Sequence, residues 1–288
     1  VTYGPHGDKP WGNVAFYFDG NQTAAWNATV DTGTDEPLYL GADTHLSRFL
    51  NASVDELYVY SEELPASAIS ELYVDGTVPP TTRKPTMAPS VSFAPTVYTY
   101  ESHLVAYYPM VGGRVNDTIG DNDGQPYQYS TTVKALAKAT SRDGSMEAVR
   151  LDPDYSEHIL FPAAVTQNIV GNAARSICLW ARIREWDNAQ IFQYGTQEVE
   201  YVDPAEFFGL GIRREPGSFF VTNHPSEKHN VTIQLSDAEW NDWHHYCVTY
   251  GPQGDKPWGN VAFYFDGLSL IHISEPHETG RNLGWRRG

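Results

Sequence analysis

Few residues in this sequence have the types and spacing to do chemistry. The nearest candidate for a catalytic carboxylate pair is EYVDPAE, which carries Glu200, Asp203 and Glu206. Glycoside hydrolysis needs two carboxylates facing one cleft, about 5–5.5 Å or about 6.5–9.5 Å apart. A strand supplies such a pair at a spacing of two, because alternate residues share a face. Here the spacing is three and Pro204 interrupts the strand, which argues against a catalytic pair. In WHHY (243–246), His244 and His245 are neighbours on a strand and point to opposite faces, so they cannot share one zinc ion. Asp121, Asn122 and Asp123 form an acidic turn of the Asx kind. No Ser-His-Asp motif, P-loop or dinucleotide fingerprint is present. Trp11 and Trp258 sit in turn-rich stretches, where an indole either offers its face to a sugar ring or packs on its own hairpin; both readings stand.

Those two tryptophans occupy equivalent places because the stretch around them occurs twice. Residues 1–20, VTYGPHGDKPWGNVAFYFDG, and 248–267 agree at nineteen of twenty positions, differing only at His6 and Gln253. Each copy reads as a β-hairpin: VTY ends one strand, GPxGDKPWGN connects, and VAFYF forms a second strand closed by Asp-Gly. A near-identical block so far along the chain marks a tandem array.

Between the copies, NQTAAWNATVDTGTDEP reads as a polar loop and LYLGADTH (38–45) as a short strand running into a turn. VDELYVYS (54–61) alternates, with Val54, Leu57 or Val59 able to face a core. A short helix is predicted at about 65–74, with Pro65 near its first turn, an Ile69/Leu72/Tyr73 stripe, and Gly76 past its end. Residues 78–97 carry five Pro, four Thr and two Ser, which reads as a semi-rigid, O-glycosylated linker spanning up to ~60 Å. Beyond it, HLVAYYPM, the two strands around DPDY, ARSICLWARI, AQIFQYG, FFGLGIRR, GSFFVTN and WHHYCVTYG all read as short strands between turns. In ARSICLWARI, Ile177, Leu179 and Ala181 take one face and Cys178, Trp180 and Arg182 the other. This pattern predicts an all-β, antiparallel β-sandwich with one short helix.

Composition bounds the partners. The 288 residues are 41% hydrophobic and 13% aromatic, enough for a packed core. A formal net charge of −17 repels phosphates and sets nucleic acid aside as a partner. No run approaches the ~18 apolar residues of a membrane span, so no membrane insertion is expected within this sequence. Five sequons, at Asn21, Asn27, Asn51, Asn116 and Asn230, together with the Thr/Pro stretch, point to an extracellular protein.

HLVAYYPM…DNDG, ARSICLWARI, WHHYCVTYG…VAFYFDG and FLNASVDELYVYSEELPASAISELY together resemble the laminin-G-like and pentraxin-like jelly rolls of the concanavalin A superfamily. The resemblance covers residues 1–76 and 98–267. It implies a jelly roll that binds glycans or glycoproteins without catalysis. It also implies a disulfide between Cys178 and Cys247, the only two cysteines, in an oxidising compartment; two buried free thiols are the alternative. The cofactor it implies is calcium, with Asp203, Glu206 and Asp43 as metal ligands, although the acid-amide-acid run of pentraxins is absent after Leu40–Gly41. A glycoside hydrolase of the same fold and a purely structural spacer are the alternatives.

In that frame residues 1–77 are the closing half of one module and 98–267 the opening part of the next. Each half alone would expose an apolar sheet face. We therefore expect residues 1–77 to complete 98–247 as one circularly permuted jelly roll, with the linker crossing its surface. The strands 14–18 and 261–265 then compete for one slot, and the later copy is expected to be displaced. Residues 268–288 have no counterpart among the residues after Gly20; LSLIHISEP resembles a sequencing-adapter translation, and this tail is set aside as an artefact.

Overall fold

The computed structural model describes residues 26–28, 37–75, 100–142, 144, 148–196, 206–224, 227–233, 236, 239–252 and 259–269. In chain order these form β1 (Trp26–Ala28), β2 (Leu38–Leu40), β3 (Ala52–Tyr60), α1 (Ala66–Asp75), β4 (Leu104–Tyr108), β5 (Gln125–Gln128), β6 (Thr131–Thr132), β7 (Lys138–Ala139) and β8 (Ala148–Leu151). They continue with β9 (His158–Phe161), the single-turn α2 (Ala163–Thr166), β10 (Arg175–Ile183), β11 (Ala189–Thr196), β12 (Glu206–Ile212) and β13 (Ser218–His224). β14 (Glu227–Thr232), β15 (His244–Pro252), β16 (Gly259–Phe265) and β17 (Leu268–Ser269) complete the set.

Two antiparallel sheets face each other in a jelly-roll-like sandwich. One has nine strands in the order β1-β16-β15-β10-β3-β8-β7, with β17 beside β16 and β4 beside β3. The other has eight, in the order β14-β13-β12-β11-β2-β9-β5-β6. Their inner faces share one core that includes Leu40, Val54, Leu57, Phe161, Leu179, Phe192, Phe219 and Phe263, all fully buried. β2 and β3 come from before the Thr/Pro stretch, yet each lies inside a sheet among strands from beyond it: β2 between β9 and β11, and β3 beside β10, β4 and β8.

The alternation of β10 is as expected: Ile177, Leu179, Ala181 and Ile183 enter the core, while Cys178 and Trp180 take the outer side. In β3, Val54, Leu57 and Val59 all enter the core, which strict alternation forbids. A bulge resolves the conflict. Cys178 opposes Tyr58 but Trp180 opposes Asp55, so β3 carries one extra residue, and Glu56 sits at φ +48°.

The helix expected at about 65–74 is α1, which lies on the outer face of the nine-stranded sheet. Its Ala68, Ile69 and Leu72, spaced three and four apart, share one face and pack on Tyr58, Tyr60, Tyr107 and Tyr264. Beneath it Cys178 and Cys247 are directly opposite on β10 and β15 and form a disulfide, with Cα atoms 4.0 Å apart. The approach to the helix is pinned where Leu64 N–H donates to Ser176 Oγ (2.9 Å) and Ser176 Oγ donates to the Glu62 carbonyl (2.6 Å).

Two expectations need correction, and two segments without an assigned element prove to be strands. The polar stretch after residue 20 contains strand β1, because Trp26–Ala28 find a ladder on β16. The Glu227–Thr232 segment and the polar run at 125–132 also give strands, β14 and the β5–β6 hairpin. The later copy is not displaced: β16 is in the sheet, between β15 and β1. Only a short connection joins β16 to β15, so its closure costs little entropy. Asp266 and Gly267, at φ +50° and +71°, then turn the chain into β17, so the first two tail residues continue the hairpin. The first copy lies outside the described residues.

Candidate functional site

The predicted site residues scatter. Asp203, Trp11, Trp258 and Asn21 lie outside the described residues, while Glu206 and Asn27 are placed by backbone alone, in β12 and β1. Asp43 is buried and serves its own loop: Oδ1 accepts from Ser47 N–H (2.7 Å), Oδ2 from the Ser47 hydroxyl (2.8 Å), and Arg48 Nε stands 3.8 Å away. Both of its oxygens thus accept a hydrogen bond within their own turn. Among the described residues no three His, Cys, Asp or Glu side chains converge on a metal site. Asn116 and Asn230 are exposed, whereas Asn51 is half-buried with its Oδ1 enclosed. Asp117 and Asp123 form the expected turn network, Asp117 accepting from Tyr107 and Ile119 N–H and Asp123 from Asp117 N–H.

WHHY proves to be a structural latch. His244 turns inward against Phe265 (4.6 Å, stacked) and His245 outward against Trp180 (5.3 Å), as adjacent strand residues must. His244 contacts Asp266 Oδ2 through Nδ1 and the Glu239 carbonyl through Nε2, both at 2.8 Å. Asp266 Oδ1 also accepts from His245 N–H (2.9 Å). Burial would lower the His244 pKa, but the hydrogen bond and charge of Asp266 and the Glu239 carbonyl outweigh it and raise it. His245 is fully buried, neither ring nitrogen has a partner, and desolvation with the Arg142 charge pushes its pKa down to about 3.

The chemistry that sequence reasoning missed lies on the outer face of the eight-stranded sheet. In β2 and β9, Leu38, Leu40, Ile159 and Phe161 face the core, so Tyr39, His158 and Leu160 face outward. Register sets Tyr127 of β5 opposite His158, and Gln193 of β11 opposite Tyr39. His158 becomes the hub of a ring cluster: Tyr127 stacks on it at 5.0 Å and 8°, Tyr39 at 6.4 Å, and Phe49 tilts over it at 5.9 Å. Burial, opposed by the Nδ1 contact to the Ser156 carbonyl, lowers the His158 pKa.

Beside this cluster Tyr129 and Tyr155 stand 56% and 45% exposed, edge to face at 5.8 Å. Tyr129 sits at φ +54° in the β5–β6 turn and donates its N–H to the Tyr155 carbonyl (2.6 Å), which holds the two loops together. Glu157 lies underneath, accepting from Gln128 Nε2 (3.2 Å) and Asp152 N–H (3.0 Å); burial first, then the Asp152 charge, raises its pKa. The half-buried Tyr39, Phe49 and Tyr127 cover the buried His158, with the half-buried Gln128 beside them and the Glu157 carboxyl buried below. The signal was present as Tyr127 and Tyr129 at a strand spacing in QPYQYS, and as His158 and Leu160 alternating with core residues in SEHILF.

No protein-family model, curated protein or solved structure matches this chain.

Proposed function

We propose that this chain is an extracellular, non-catalytic binding module of the laminin-G-like, concanavalin A-like kind that recognises glycans or glycoproteins. The observation that carries this reading is the aromatic patch of Tyr39, Phe49, Tyr127 and His158 with the exposed Tyr129 and Tyr155. Sugar rings present flat C–H faces that stack on aromatics, and their hydroxyls suit the amide of Gln128 beside the rings. The disulfide supports an oxidising compartment. No described helix is long and apolar enough to cross a membrane.

A glycan array followed by calorimetric titration of the hits tests the reading. Tyr127→Ala and Tyr155→Ala are each expected to weaken binding about fivefold, for a stacking contribution of ~1 kcal/mol. Repeating the titrations with and without millimolar calcium tests the contribution of the Asp203 and Glu206 loop. Unchanged binding in both tyrosine variants would refute the site. A second reading, glycoside hydrolysis, draws on the raised Glu157 carboxyl beside Asp152. Release of reducing sugar from β-glucans that Glu157→Gln abolishes would establish it in place of simple binding.

A further inference from the structure

The same outer face has a second accessible region of different chemistry, beyond the 41–50 loop. Arg213 comes directly after β12, and its guanidinium stacks 5.2 Å over the Phe220 ring of β13. Phe220 lies across Gly211, where any Cβ would collide with the ring, so the glycine makes room for this platform. Arg213 Nη2 and Nε donate to Asn230 Oδ1 of β14 at 2.7 and 3.2 Å. Arg214 Nε donates to Asp187 Oδ1 (2.9 Å), and Arg48 reaches in from the loop that holds Phe49. With Ser47 and Asn188 these residues line a cleft of about 430 Å³.

Three guanidinium groups meet two carboxylates here, Asp187 bonded to Arg214 and Asp43 standing 3.8 Å from Arg48. Arg213 faces no carboxylate partner among the described ion pairs, which leaves a net positive site in a chain of net charge −17. The hydrogen bonds of Arg213 use Nε and Nη2 and that of Arg214 uses Nε, while all three arginines line the cleft. A guanidinium fork matches a planar carboxylate in geometry and charge. The acidic remainder of the chain repels polyanions at longer range, which favours a ligand with isolated charges on neutral rings over a nucleotide or a densely sulfated polymer.

We propose that this cleft binds the carboxylate of a uronic-acid residue within an acidic glycan, whose neighbouring rings meet the aromatic patch. The ring contacts rest on the glycan-binding reading; the anion site stands on the arginines alone.

The test is calorimetric titration of the full chain, at low salt, with short galacturonate oligomers and with neutral xylose oligomers of equal length. The galacturonate oligomers are expected to bind about tenfold more tightly, each charge-assisted contact being worth that much or more. Arg213→Gln and Arg214→Gln are expected to remove that preference while leaving neutral oligomers unaffected. The Arg214 side chain is 76% exposed, so Arg214→Gln leaves the fold intact, and unchanged thermal unfolding confirms it. Equal affinity for charged and neutral oligomers, or a preference that survives both variants, overturns the proposal. If no oligosaccharide binds, the glycan reading fails by itself, and monomeric glucuronate then decides the cleft. Binding lost in Arg213→Gln upholds the anion site, and no binding overturns it.

Discussion

Removing the bridge between Cys178 and Cys247 is the most quantitative test of this architecture. The two residues are separated by 69 positions, and the loop they close contains all of β11, β12, β13 and β14. Half of the eight-stranded sheet is therefore tethered in the unfolded chain to the centre of the other sheet. Loop-closure entropy for a loop of this length amounts to about 4 kcal/mol at 25 °C. In Cys178→Ala/Cys247→Ala that constraint disappears, and the small gaps left under α1 act in the same direction. For a domain of this size the expected fall in Tm is roughly 10 °C. The assay is urea unfolding monitored by tryptophan fluorescence, with calorimetry alongside. Beyond a lower midpoint, a steeper urea dependence is expected, because the unlinked chain exposes more surface on unfolding. Each single alanine variant, and the wild type unfolded under reducing conditions, should behave like the double variant, since all break one link. A change below about 1 kcal/mol, or single variants that differ widely from the double, would refute the reasoning.

Three further outcomes are expected from individual side chains. Asp266→Asn keeps a residue that tolerates the left-handed turn but removes the charge beside His244, so NMR titration should show the His244 pKa fall toward its ordinary value. Because that pKa is raised by folding, the stability His244 contributes is fully present below the ordinary histidine range and is lost as pH rises through the raised value; the variant should lack this dependence. His245 has the opposite sign: with a folded pKa of about 3, it costs stability as pH falls from ~6.5 toward 3, at about 1.4 kcal/mol per pH unit, and urea titrations of His245→Phe should be flatter over that window. Gly217→Ala should cost about 2–4 kcal/mol in chemical unfolding, because φ is +78° and the new methyl would meet the Ile233 carbonyl oxygen.

The sandwich was legible because its strands are written in period-two alternation. ARSICLWARI separates its core and outer faces residue by residue, and the opposed orientations of His244 and His245 obey the same rule. The bulge at Glu56 was not legible, since nothing in VDELYVYS marks which residue is the extra one; the partner strand decides it. β1 was hidden because its three residues, WNA, sit in a polar stretch too short to show alternation, and the β5–β6 hairpin because most of its residues are polar; their strand character comes from ladder partners rather than from side-chain pattern. The aromatic patch was missed for a related reason. Tyr39, Tyr127 and His158 belong to three strands remote in sequence, and only sheet register makes them neighbours. A surface built from tyrosines on alternating positions has the same sequence pattern as an ordinary strand.

The register between β1 and β16 has a consequence for how such units find their phase. Trp26, Asn27 and Ala28 pair with Val261, Asn260 and Gly259. The first copy of the hairpin carries the same three residues, Val14, Asn13 and Gly12, so the edge of β1 reads both copies identically. Sequence recognition therefore carries no information about which copy closes the sandwich, and the choice passes to timing and tether length. During synthesis the first copy, β1, β2, β3 and α1 are all made before β10 and β15 exist, and they have no sheet to join until those strands appear. Once β15 emerges, β16 comes within a few residues and reaches its place before a distant segment can search for it. Lengthening the stretch between β15 and β16, rather than altering any pairing residue, is what would let the first copy compete for this place beside β1.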